Sequence, residues 1–104
     1  MSQAPLQIVV ADHPLARFIG LMGKRSWDNN QALLISGCKQ IHTWFMRFPI
    51  DVVFFDADQR IIKVIEGLPP WCVSPFVSEA QGCLEFAAHQ AKSYGLVLGA
   101  SMTI

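Results

Sequence analysis

The segment IHTWFMRFPIDVVFFD, residues 41–56, sets His42, Arg47 and Asp51 among large apolar side chains. Such residues can move protons, hold a ligand or lock a fold through ion pairs. A histidine ionises near neutrality, so His42 is a candidate general base or metal ligand. Asp51 interrupts a run in which Ile50, Val52 and Phe54 alternate with Asp51, Val53 and Phe55. Both faces of that run are mainly apolar, so the strand is expected to be covered on both sides. A lone carboxylate there takes up a proton unless a cation or backbone N–H groups hold it ionised. Arg47 is near in sequence, and Arg17 and His42 can reach it across the fold. Glu85 sits between Leu84 and Phe86 and raises the same question. An Arg17–Glu85 or Arg17–Asp51 ion pair is therefore expected. The plainer readings are that Asp51 stabilises a loop near the strand start and that His42 is a hydrogen-bonded structural residue.

Other chemistry has less support. His13 and His89 are far from His42 in sequence, and Cys38, Cys72 and Cys83 form neither a CxxC pair nor a zinc pattern. No metal and no cofactor is expected, and the cysteines read as reduced, buried small residues. Cys38 lies four residues before His42, but a nucleophile–base pair is made by a fold and not by a short spacing. Trp44, Phe45, Met46 and Phe48 are expected in the core. Trp71 and Phe76 lie in LPPWCVSPF, residues 68–76, where three prolines stiffen the chain. An aromatic on such a loop is either a preorganised contact surface or a cap over one end of the fold.

The elements that must position these residues follow from the patterning. LQIVV (6–10) and ALLIS (32–36) predict short strands. Asp12 or His13 can cap a helix with Pro14 in its first turn. Leu15, Phe18, Ile19 and Met22 then fall on one face, and Gly23 can end the helix. The strand from Pro49, the turn DADQ and the return RIIKVIEGL predict a β-hairpin. CLEFA (83–87) predicts another strand, AAHQAKSYG one or two helical turns ending at Gly95, and LVLGASMTI closing strands. The expected class is mainly β (a β-rich α+β fold), a compact sandwich or small barrel of short strands with one or two short helices.

Composition narrows the function classes. The 104 residues suit one domain spanning 1–104, and 52% hydrophobic with 15% charged residues suits a packed fold. Net charge is zero and no Lys/Arg cluster exists, so nucleic acid is not an expected partner. No uncharged apolar run approaches the ~18 residues of a membrane span. The start, MSQAPLQIVVAD, does not read as a signal peptide, so a cytoplasmic location is expected.

The segments RFIGLMGKR, CKQIHTWFMRFPIDVVFFD and CLEFAAHQA together resemble the DUF192 family of small bacterial and archaeal proteins. Its R-x-x-G-L-M helix corresponds to Arg17, Gly20, Leu21 and Met22. Its M-[KR]-x-x-P-[IL]-D segment, which has spacing variants, corresponds to Met46, Arg47, Pro49, Ile50 and Asp51, with the single residue Phe48 before the proline. Its late L-E-[LF] strand corresponds to Leu84, Glu85 and Phe86. The resemblance implies a compact β-rich fold with short helices and carries no established function. Two departures stand out: His89 follows Ala88 where the family often has Ala-Gly, and Gly99-Ala100 replaces a frequent Gly-Asp.

The functional reading is a binding or accessory module for a small ligand or a partner protein, of unspecified oligomeric state. Arg17, His42, Arg47, Asp51 and Glu85 form its polar constellation, and Trp71 and Phe76 its contact surface. The alternative is an enzyme of hydrolase or lyase type, using His42 with Asp51 or Glu85 for proton transfer.

Overall fold

The computed structural model describes residues 4–102, apart from the side chains of Arg17 and Phe18. Five strands form one mixed sheet: β1 Gln7–Val10, β2 Gln31–Ser36, β3 Ile50–Phe55, β4 Ile61–Leu68 and β5 Gly82–Ala87. The spatial order is β1-β2-β5-β3-β4, with β1 and β2 parallel and every other pair antiparallel. The mainly β expectation holds, and the sheet stays open; it is not a closed barrel.

The period of two in β3 does what it predicts. Every residue from Ile50 to Phe55 is buried, because β3 lies between β4 and β5 and both faces of the sheet are covered. One face carries Leu33, Ile35, Ile50, Val52, Phe54 and Cys83, packed beneath Leu21, Ile41 and Met46. The other carries Ala32, Val53, Phe55, Leu84 and Phe86, packed against Ala91, Leu96 and Met102. The core is thus two apolar layers on either side of one sheet. Gly82 admits no side chain: a Cβ there would lie 2.6 Å from Phe55 and 2.7 Å from the Ile35 carbonyl oxygen.

The hairpin expected around DADQ is present. Asp56 closes it by accepting the N–H groups of Asp58 and Arg60, both at 2.9 Å. β4 carries one extra residue opposite Asp51, so the register slips between Ile50 and Val52. Such a bulge re-aims the backbone locally, and here it turns the Gly67 N–H toward the Asp51 carboxylate.

Two sequence expectations fail. Helix α1 runs only from Pro14 to Ile19, capped by His13, whose Nδ1 accepts the Ala16 N–H at 3.2 Å. Gly20, not Gly23, ends it, with φ 52° and its N–H bonded to the Ala16 carbonyl. Leu15 and Ile19 are exposed while Leu21 is buried, so the predicted apolar stripe is not the buried face. Leu21 enters the core because the turn at Gly20 redirects the chain inward.

The second failure is the C-terminal stretch. Lys92–Tyr94 forms one 3-10 turn ending at Gly95, as expected. Of the predicted closing strands, the described residues make only an isolated bridge between Ser101 and Arg60. Gly95 and Gly99 take positive φ and curl the chain into turns. Backbone bonds to Gln59 and Ile61 fasten it to the hairpin, while Leu96 and Met102 cover the sheet.

Candidate functional site

Glu85 sits on β5, and its cross-strand partners are Leu33 on β2 and Val52 on β3. Period-two alternation puts its side chain on the face of Cys83, beneath the end of α1. Its residue is 3% exposed, and Oε1 has no hydrogen-bond partner among the described residues. Desolvation, reinforced by the charge of the Cys38 thiolate, pushes its pKa from 4.5 to about 8. At neutral pH the group is therefore mainly a carboxylic acid, able to donate one hydrogen bond and accept others.

A cavity of about 130 Å³ opens beside it, walled by Ile19, Gly20 and Leu21, by Ile35 of β2, and by Cys38, Gln40, Ile41 and His42 of the following loop. Gly20 is needed here for its backbone: its φ of 52° disfavours a side chain.

His42 forms part of the rim. Its Nδ1 accepts the Trp44 N–H at 3.2 Å, and its ring stacks on Trp44 with centroids 4.7 Å apart. With Nδ1 accepting, the ring proton belongs on Nε2. The neighbouring Thr43 is fully buried and fastens two loops together. Its hydroxyl donates to the Pro69 carbonyl at 2.6 Å and accepts the Cys72 N–H at 2.8 Å. Its backbone N–H bonds to Cys72 and its carbonyl accepts the Trp71 N–H. The wall carrying His42 is thus braced by the proline loop.

The rest of the predicted constellation is dispersed. Asp51 lies on the opposite face of the sheet, where Oδ1 accepts the Gly67 N–H at 2.9 Å and Oδ2 the Ala91 N–H at 3.2 Å. It ties β3 to the end of β4 and to the C-terminal segment. Arg47 is exposed in the loop before β3 and does not line the cavity. The Arg17 side chain, expected to pair with Glu85 or Asp51, lies outside the described residues. The structure therefore unites His42 and Glu85 and separates both from Asp51.

The aromatic expectations divide similarly. Met46 is buried and Phe48 partly so, whereas Trp44 and Phe45 are exposed. Trp71 is exposed and leans on Phe45, with ring centroids 4.8 Å apart. Both take left-handed backbone, φ 65° and 63°, an unusual conformation for bulky residues. Phe76 is also exposed but lines a separate cleft with Ile62 and Lys63.

Reasoning from sequence missed that Cys83 shares the sheet face of Glu85 and that Cys38 lines the cavity beside it. The available signal was that Cys83 and Glu85, two apart on a strand, must share a face. His89 also gains an explanation: it takes φ 68°, which a glycine accepts without strain, and its ring approaches Glu66 at 3.3 Å. Among the described residues no three of His, Cys, Asp and Glu gather as a metal site, and no helix is long and apolar enough to cross a membrane.

Comparison with known proteins agrees with this fold. The family model of DUF192, described as "Uncharacterized ACR", matches residues 1–104. A crystal structure of a protein of unknown function from Novosphingobium aromaticivorans superposes with a TM-score of 0.79 at 16% identity, covering 90% of this chain and 71% of that one. A protein from Sinorhizobium meliloti, described as a candidate transcription regulator, gives 0.76 at 24% identity, covering 90% and 78%. At these identities the likeness is one of fold. No curated protein matches the chain.

Proposed function

This chain belongs to the DUF192 family, and on that premise we propose that it is a binding module whose cavity takes a compact ligand bearing N–H donors, a small amine or amide. One observation carries the reading: Glu85 is buried in an apolar sheet face, borders a cavity, and leaves Oε1 unpartnered among the described residues. An unpaired buried acceptor costs about 1–3 kcal/mol, and a ligand that satisfies it recovers that cost. Size limits the choice. A cavity near 130 Å³ holds roughly a benzene-sized group, well below the ~300 Å³ at which drug-sized sites begin. Nucleotide cofactors are too large, whereas the tip of a longer molecule fits.

The alternative of a hydrolase or lyase retains one supporting observation, that His42 and Glu85 line the same cavity. In that scheme Glu85 donates a proton and His42 accepts one. Asp51 is not part of it, because its carboxylate faces the other side of the sheet.

The test is thermal-shift screening of compact amines and amides against the wild type, Glu85→Gln and His42→Ala. Stabilisation of the wild type that weakens in both variants supports the cavity as the site. Equal stabilisation of all three proteins places the ligand elsewhere. No stabilisation by any compound refutes the small-ligand reading and leaves a partner protein. Conversion of a hit to product, lost in His42→Ala, supports the enzyme.

A further inference from the structure

The two edges of the sheet are finished differently. β4, at one edge, is bulged opposite Asp51 and carries Lys63 and Glu66. Its start is covered by the C-terminal segment, where Ala100 and Gly99 bond to the N–H and carbonyl of Ile61 at 2.9 and 2.8 Å. Such devices stop a further strand from adding. β1 lies at the other edge and has none of them: Gln7–Val10 contains no charge, no proline and no bulge. Its bonding is one-sided. The N–H groups of Gln7 and Ala11 bond to the carbonyls of Asn30 and Leu34 at 2.8 and 3.0 Å. In this parallel ladder the odd-numbered residues therefore face β2, and Ile8 and Val10 turn their N–H and C=O groups to the open edge. Among the described residues the surface around that edge is apolar. Val9, Val10, Leu15 and Ile19 are 38, 55, 62 and 40% exposed. A groove of about 360 Å³ runs between β1 and α1, lined by Val9, Leu15, Ile19 and Leu33 among others.

We propose that the β1 edge is a homodimer interface, where β1 pairs antiparallel with β1 of a second copy about a two-fold axis through Val9, joining two five-stranded sheets into one. The occupant follows from self-complementarity. One antiparallel register uses every outward group of the strand. It sets Ile8 against Val10 of the second copy, Val9 against its own counterpart, and Val10 against Ile8. Ile8 and Val10 each exchange both backbone bonds with the residue opposite, and Val9 sits in the closer pair between them. All these cross-strand pairs are apolar and no charged residue lies in the ladder. The axis is normal to the sheet, so α1 of both copies stays on one face. Val9 points to that face with its neighbour Leu33, and the two Leu15/Ile19 grooves face each other above it. A second copy brings the matching groove as well as the matching edge, which a lone foreign strand does not. The chain has no net charge, so two copies do not repel. The proposal does not rest on the Glu85 cavity.

The experiment measures the mass of the full chain by sedimentation equilibrium over a concentration series. The expected result is a monomer–dimer equilibrium with a micromolar dissociation constant, because a four-residue ladder and two facing grooves lie at the small end of specific interfaces. Val9→Lys sets two like charges on the axis and should weaken the dimer roughly a hundredfold, with the circular dichroism spectrum unchanged. The register is read separately by mild oxidation. Val9→Cys puts two thiols in a pair whose Cα atoms lie about 4.5 Å apart, within bridging distance. A dimer linked through position 9, identified by peptide mass, is expected. Val10→Cys stands two residues out of register with its counterpart and should not link. A protein that stays monomeric up to roughly 100 μM overturns the proposal. So does a dimer that Val9→Lys leaves intact, or one that links at position 10 and not at position 9.

Discussion

Glu85→Gln should stabilise the protein, and by an amount that depends on pH. The unfolded carboxyl ionises near 4.5 and the folded one near 8, because burial among Leu33, Val52 and the end of α1 removes its water. Below the lower value the group is protonated in both states and ionisation adds no penalty. Between the two, folding must take up a proton, so stability falls by about 1.4 kcal/mol per pH unit. Above the upper value the whole penalty remains, on the order of 5 kcal/mol across the window from 4.5 to about 8. Glutamine has nearly the same shape and never ionises. The variant should therefore match the wild type near pH ~4.5, exceed it by roughly 3 kcal/mol at pH ~7, and by roughly 5 kcal/mol at pH ~9. Against total stabilities of about 5–15 kcal/mol, that is readily measured. Urea denaturation of both proteins at these three pH values gives the difference. Cys38 ionises at about 7 instead of 9.0 and acts with opposite sign above neutrality; its thiolate also contributes to the Glu85 shift, so the gap below neutrality is the cleaner reading. A gap that does not change with pH, or a variant less stable than the wild type at neutrality, refutes the reasoning. It would mean that Glu85 is ionised and held by a cation, with Arg17 the candidate.

The Asp51 carboxylate accepts one backbone N–H at each oxygen, so Asp51→Asn turns an amide N–H toward a donor and should cost about 1–3 kcal/mol; unchanged urea denaturation at neutral pH would deny its role as a tie. Gly82→Ala drives a Cβ against Phe55 and the Ile35 carbonyl, and because a backbone carbonyl of a central strand cannot retreat, a loss of about 3 kcal/mol is expected; a thermal midpoint equal to the wild type's would contradict it. The rate of Cys38 alkylation by iodoacetamide should reach half its plateau near pH 7, where the thiolate forms, with Cys83 unreacted; a half-maximum near the ordinary thiol value would show that hydrogen bonding does not lower it.

Local physics made the strands legible. The alternation in β3, the DADQ turn and the prolines of the 68–76 loop each act through near neighbours, and each appears where the sequence places it. The helix end was less legible, because Gly20 and Gly23 both take positive φ and both are able to stop a helix. The earlier stop prevailed once Leu21 found the core. The closing strands were misread for a related reason: LVLGASMTI has strand-like composition, but the backbone bonds of its described residues go to its own turns and to the hairpin.

The sequence by itself placed Asp51 and Glu85 among apolar residues on expected strands, which raised the question of what partners them. It also placed His42 in the irregular entry before Pro49 and Trp71 on a proline-stiffened loop. Which side of the sheet each carboxylate faces was decided only by tertiary structure. β5 inserts between β2 and β3, so that Glu85 pairs with Leu33 and Val52 beneath α1 while Asp51 turns to the opposite layer. A two-residue strand period fixes which residues share a face, but strand order and the covering loops fix what that face meets. For that reason Asp51 found two backbone donors, and Glu85 found a cavity, a histidine and a thiol.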